Sequence, residues 1–196
     1  MEAGSDTECM PDVRLYLVRH AESEGNAEQI MQGAGEYPLS RNGRDQAQRA
    51  AESLQRLSPT LVVASDLGRA QETALLTLGH IDIVEPRLRE RGAGRWEGWS
   101  RLELEAAYPG ALIDDELRPD GFEAKAEVVL RMRGAVRDLL DRPGTTVAFT
   151  HGAVLRLLEK DLGGAGVRFG HLEALVLGPG PVLLGRVNFL PVEVLP

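Results

Sequence analysis

Short apolar runs alternate with longer stretches of helical period along this chain. The runs are Val13–Val18, Thr60–Ala64, Ile81–Glu85, Thr145–Thr150, Leu172–Leu177 and Val182–Leu190. Each is only strand-long and rich in Val, Ile, Leu and Thr, so each predicts a β-strand. Between them, Gly43–Leu57 places Ala47, Ala50, Ala51, Leu54 and Leu57 on one face and Arg44, Asp45, Gln48 and Arg49 off it, an amphipathic helix with Ser40 placed as its N-cap. Leu67–Leu78 predicts a helix opened by Ser65-Asp66, and Ser100–Tyr108 a short one stopped by Pro109-Gly110. Phe122–Asp141 is the longest helical stretch, a further helix opens at Gly152, and Glu24–Met31 predicts a short helix. Gln32–Pro38 and Arg87–Trp99 read as loops, Ala111–Gly121 as an acidic irregular insertion, and Gly178–Pro181 as the turn of a final hairpin at the sheet edge.

Strands alternating with helices predict an α/β chain: a three-layer α/β/α sandwich around a mostly parallel central sheet with helices on both faces. With 196 residues, one domain over 13–196 suffices, preceded by a polar leader over 1–12 that is expected to be disordered. The net charge of −8 argues against a nucleic-acid or anionic-membrane partner, while leaving room for a local basic pocket. Cys9 is the only cysteine, so no intrachain disulfide forms. No stretch approaches the ~20 apolar residues of a membrane span. The leader lacks an apolar core, so a cytoplasmic location is expected.

The chemistry lies where strands hand over to loops. Arg19-His20 follow the first strand, Arg69 sits in the first turn after the second, and His151 follows the run Thr145–Thr150. In a parallel sheet such positions share the rim outside the carboxyl ends of the strands. The helices starting near Asp66 and Gly152 would aim N–H groups at the same rim, where they favour a bound dianion. Arginine offers a planar fork suited to phosphate, and neutral histidine a nucleophilic nitrogen. Together they suggest phosphoryl chemistry.

Leu17-Val18-Arg19-His20-Ala21-Glu22-Ser23-Glu24-Gly25-Asn26 resembles the signature of the histidine phosphatase superfamily, with Ala21 where that family usually has glycine. Ser65-Asp66-Leu67-Gly68-Arg69-Ala70-Gln71-Glu72-Thr73-Ala74 is similar to the family's second motif, and Thr150-His151-Gly152 with Arg156 to its last. Glu90, ahead of Gly94-Arg95-Trp96-Glu97-Gly98, stands where the family keeps its general acid. The resemblance implies a phosphoglycerate-mutase-like fold and a histidine-acid-type phosphatase, a phosphoric monoester hydrolase that acts on a small phosphorylated metabolite without metal or cofactor. It implies His20 as nucleophile, and Arg19, Arg69, Asn26 and protonated His151 as holders of the phosphoryl oxygens. Glu90 would be proton donor and then acceptor, and Gly152 would join the phosphate site. Ser23, Gln32 and Gly33 would lie near the substrate, and Glu97 would be structural.

His20 must start neutral, which neighbouring cations favour. A phosphoglycerate-mutase-type phosphotransferase is the alternative, and a non-catalytic phospho-ligand binder a further one. A zinc site on His20 and His151 lacks a third ligand of suitable spacing. His80 and His171 match no motif and are assigned no role. A homodimer is compatible with the sequence, and the substrate is left to the Gln32–Tyr37 loop, the Trp96–Trp99 region and the Ala111–Gly121 insertion.

Overall fold

A computed structural model of the chain describes residues 14–112 and 117–190. The leader 1–12 and part of the 111–121 insertion lie outside the described residues. Twelve regular elements follow one another: β1 (Arg14–Arg19), α1 (Glu24–Ala27), α2 (Arg41–Gln55), β2 (Leu61–Ala64), α3 (Gly68–Leu78), β3 (Ile83–Val84), α4 (Arg101–Ala107), α5 (Lys125–Leu140), β4 (Thr145–Thr150), α6 (Gly152–Asp161), β5 (Glu173–Gly178) and β6 (Val182–Asn188).

The six strands form one sheet in the order β3-β2-β4-β1-β5-β6. β1 pairs parallel with β4, β4 with β2, and β2 with β3. β5 alone runs against its neighbours, antiparallel to both β1 and β6, so the last two strands make the expected edge hairpin. The sheet is thus mostly parallel. Its strands read as unbroken apolar runs because both faces are covered. Leu15, Leu17, Val63, Ala148, Leu175 and Leu177 point to one face and pack against α5 and α6. Tyr16, Val18, Val62, Ala64, Val147 and Phe149 point to the other and pack against α2 and α3. The three-layer expectation is met. Among the described residues no helix is long and apolar enough to cross a membrane.

Several boundaries differ from the sequence reading for visible reasons. α1 ends at Ala27 because Gln29 turns into the left-handed region (φ 58°) and Ile30 bridges Ser100. α5 begins three residues after Phe122, which bridges Ala93 and sets its ring 5.9 Å from Trp96. β3 is reduced to two residues. Ser40 and Ser100 do cap α2 and α4, accepting from Gly43 N and Glu103 N.

The topology positions the site. From β1 the chain leaves on the α2/α3 face, and from β4 on the α5/α6 face. The loops after these two adjacent strands therefore diverge and open a crevice at their carboxyl ends, the switch point where α/β sheets bind ligands.

Candidate active site

The parallel ladder runs one residue past the strands and sets the site's frame. His20 N donates to Thr150 O at 2.9 Å, and Ser65 N donates to Phe149 O at 2.9 Å. His20 and His151 thereby leave neighbouring strands side by side, with ring centroids 5.1 Å apart in an edge-on arrangement. Both rings are buried.

His20 Nδ1 lies 2.6 Å from Ala21 O. A carbonyl only accepts, so Nδ1 carries the proton and Nε2 keeps its lone pair. The backbone at Ala21 has no positive φ, so alanine serves there as well as glycine. Burial, then Arg69 and Arg19, hold the His20 pKa well below the usual imidazole range. His20 is therefore neutral near pH 7.

His151 Nε2 meets Ser65 Oγ at 2.9 Å. Burial, followed by Arg69 and His20, likewise pushes its pKa well below the usual range. In the free protein burial and the neighbouring cations favour the neutral form of His151, whereas the reaction expects it protonated with a phosphoryl group beside it. A dianion beside it would reverse the sign of that local field.

Arg19 Nη1 donates to Phe169 O at 2.7 Å, and Arg69 donates through Nη1 to Gly35 O (2.8 Å) and through Nη2 to Gly33 O (3.0 Å). Burial lowers the Arg19 pKa to about 10, with the Glu90 carboxylate the largest charge opposing it. Arg69 shifts downward for the same reason, again opposed first by Glu90. Gly152 makes room for Arg19: a Cβ there would stand 3.1 Å from Arg19 Nε.

Glu90 accepts from Arg91 N at 2.9 Å and, less closely, from Ala153 N at 3.4 Å in the first turn of α6, beside His151. Its loop is fixed from below. Thr150 Oγ1 donates to Leu88 O at 2.7 Å, and Arg131 Nη1 donates to the Arg87 and Arg89 carbonyls at 2.7 and 2.8 Å. Glu123 pairs with Arg131 and accepts from Gly92 N, so it too is structural.

Ser23 and Asn26 form a capping box, Asn26 Oδ1 accepting from Ser23 N at 3.2 Å. The buried Gln32 accepts from Ser23 Oγ at 2.9 Å. Gly33 supplies its carbonyl to Arg69 in a left-handed conformation (φ 52°), and Glu97 bonds Ala34 N and Ala93 N, as its structural reading requires. A cleft of about 250 Å³ lined by Trp96, Tyr108 and Arg95, among others, shares no residue with the histidine pair and is not the reacting centre.

His171, to which the sequence reading assigned no role, lies at the edge of the site. Its ring lies 6.4 Å from that of His20, because Leu172 N donates to Arg19 O at 3.0 Å and brings the start of β5 against β1. Burial, then Arg19, lowers its pKa to about 4, with Glu22 opposing. No local pattern marks it; only the β1–β5 pairing does. His80, by contrast, bonds Leu78 O near the surface and stays outside the site.

Four buried nitrogens at this junction have no hydrogen-bond partner among the described residues: Arg19 Nε, Arg69 Nε, His151 Nδ1 and His171 Nε2. Unpaired buried donors are rare in folded proteins, and an oxyanion would satisfy several at once.

A parallel α/β sheet with a neutral histidine among buried arginines at its switch point defines a phosphoryl-handling enzyme. Residues 15–176 match the histidine phosphatase superfamily (branch 1), and the chain belongs to that family. It is 37% identical over 167 residues to a glucosyl-3-phosphoglycerate phosphatase of Mycolicibacterium vanbaalenii, covering 76% of this chain and 73% of the relative. It is 34% identical over 163 residues to a probable phosphoglycerate mutase GpmB of an Enterobacter species, covering 74% and 73%. A solved mycobacterial glucosyl-3-phosphoglycerate phosphatase in complex with VO3 superposes with a TM-score of 0.75 at 31% identity, over 84% of this chain and 92% of that one. The chain is a phosphatase of this superfamily, with the phosphoglycerate-mutase-like fold.

Proposed function

We propose that this chain hydrolyses a small phosphorylated metabolite through a phosphohistidine on His20 Nε2. The observation that carries the site assignment is the His20 Nδ1–Ala21 carbonyl bond, which aims an unprotonated Nε2 among buried cations. Nε2 attacks phosphorus as the bond to the leaving oxygen breaks. Arg19, Arg69 and His151, with Asn26, hold the three remaining oxygens, and the arginines neutralise the charge that builds there. Glu90 gives its proton to the leaving alkoxide. It then takes one from the water that attacks phosphorus and displaces His20. Ser65 positions His151, and Gln32 and Gly33 act through Ser23 and Arg69. Gly152 lets the Arg19 guanidinium lie against α6.

Hydrolysis is favoured over transfer because the more similar relatives are named phosphatases. Their name supports a phosphorylated sugar-acid derivative as the substrate class. A mutase-type transfer is the second reading, supported by the similarity to the probable phosphoglycerate mutase. A cytoplasmic setting is part of the proposal.

The test is hydrolysis of a generic aryl phosphate in excess chelator by the parent protein and by His20→Ala, with rapid alkaline quench to trap phosphate on the protein. Release that survives chelation, with acid-labile label in the parent only, supports the reading. Activity retained in His20→Ala, or lost with chelator, overturns it.

A further inference from the structure

The turn Phe169–Leu172, which leads into β5, carries a titratable group that the proposed reaction does not use, His171. The turn is clamped to Arg19 at both ends. Phe169 O accepts from Arg19 Nη1 at 2.7 Å, and Leu172 N donates to Arg19 O at 3.0 Å. It is braced from outside as well. Gly170 N donates to Glu173 Oε2 at 2.7 Å, Arg186 pairs with Glu173 at 3.3 Å, and the Arg186 guanidinium lies 3.7 Å from the centre of the Phe169 ring. Between the clamps Leu172 takes a φ of 55°, a left-handed conformation that a buried leucine adopts only where its surroundings impose it.

This fixed turn holds the His171 ring with its centroid 6.4 Å from that of His20, and His171 Nε2 is buried with no hydrogen-bond partner among the described residues. Backbone strain and an unmet buried nitrogen each cost stability, and here they fall on adjacent residues beside the nucleophile. Packing does not account for them, since an apolar side chain would fill the same place with no nitrogen left unmet. With its pKa lowered to about 4, the ring is neutral near pH 7 and carries one N–H. A neutral donor suits a site that already holds Arg19 and Arg69. It adds a hydrogen bond to a bound dianion without a further cation for the free protein to bury.

We propose that His171 is a further catalytic residue, whose Nε2–H donates to an oxygen of the phosphoryl group that His20 attacks. The proposal rests on the phosphatase reading and adds one donor to Arg19, Arg69, His151 and Asn26. No covalent bond of His171 forms or breaks. The ring keeps its proton through both half-reactions, and the oxygen it meets is one of the three that stay on phosphorus. That oxygen selects the tautomer with the proton on Nε2.

The experiment compares the full-length parent with His171→Gln and His171→Phe, reading kcat/KM for an aryl phosphate and inhibition by vanadate, an oxyanion that takes the place of the phosphoryl group. Gln carries an amide N–H to the place of Nε2, whereas Phe keeps the bulk of the ring and has no donor. A hydrogen bond to a charged oxygen is worth roughly ten-fold or more. His171→Phe is therefore expected to lower kcat/KM and to weaken vanadate inhibition by roughly ten-fold or more, with His171→Gln within about three-fold of the parent. Urea unfolding confirms that each variant folds, and His171→Leu replaces the Phe variant if that one does not. Vanadate inhibition that is unchanged without the donor, or equally weakened in both variants, overturns the proposal, because the ring then acts by shape alone or not at all. If the parent meanwhile hydrolyses aryl phosphate through His20, the phosphatase reading survives that failure. If the parent neither hydrolyses aryl phosphate nor binds vanadate, both fall.

Discussion

Buried histidines held neutral make this protein's stability fall on mild acidification, and the size of the fall follows from their burial. His20 is 2% and His151 0% exposed, and the pKa of each lies well below its ordinary value of 6.5. In the unfolded chain both titrate near ~6.5. Below that pH the unfolded state binds more protons than the folded state, so stability is full above it and drops as pH falls toward the folded-state values. From pH 7.5 to 5.5 one such histidine costs about 1.4 kcal/mol and the pair about 2.7 kcal/mol, and His171, lowered to about 4, adds a similar amount for a total of about 4 kcal/mol. Carboxylates contribute little in that window, because they titrate mainly below it. Urea unfolding at the two pH values reads the loss directly; with a slope of ~1–3 kcal/mol/M, the midpoint moves by roughly 1–4 M. The control is His20→Asn with His151→Gln. Asn retains a donor for Ala21 O, Gln retains a partner for Ser65 Oγ, and neither titrates. The double variant should lose about two thirds of the pH dependence, His171 keeping the rest. A parent whose stability is flat over the window, or a double variant with the parent's full slope, would refute the burial argument. Vanadate or phosphate should partly restore stability at pH 5.5 in the parent, since a bound oxyanion favours the protonated rings.

Replacing Glu90 with Gln should lower kcat by roughly 10²–10⁴-fold for alkyl phosphates, whose leaving oxygen needs a proton, and far less for p-nitrophenyl phosphate; equal losses on both would contradict its role as acid. Ser65→Ala strips the His151 Nε2 partner and should cost about 1–3 kcal/mol of stability together with a lower kcat, measured by urea unfolding and steady-state kinetics. Gly33→Ala sets a Cβ at a φ of 52° and 2.2 Å from Glu97 Oε1. It should cost at least about 1–2 kcal/mol from the backbone alone and raise KM as Arg69 loses its carbonyl seat; a neutral effect would mean the loop does not position Arg69.

His20, Arg69 and His151 were legible in the sequence because each stands just past a short apolar run, and parallel strands deliver such positions to a common rim. Glu90 was legible through its motif alone, since nothing in its own charge pattern separates it from the surrounding arginines. Ser65 was read only as a cap; its bond to His151 depends on how β2 and β4 register, which no local pattern carries.

The sequence by itself determined the strands, because a strand buried on both faces must be apolar at every position, and the helices, because a helix buried on one face must repeat every three or four residues. It also determined which residue types reach the rim. Only the tertiary structure decided what those residues meet. β5 lies antiparallel against β1, so His171 arrives beside His20. The ring of His151 is buried beside two arginines, so its neutral form is favoured when the site is free. Both outcomes come from groups far apart in the chain: strand order is settled by packing of whole layers, and a pKa by the sum of burial and charge from every segment that closes over the ring.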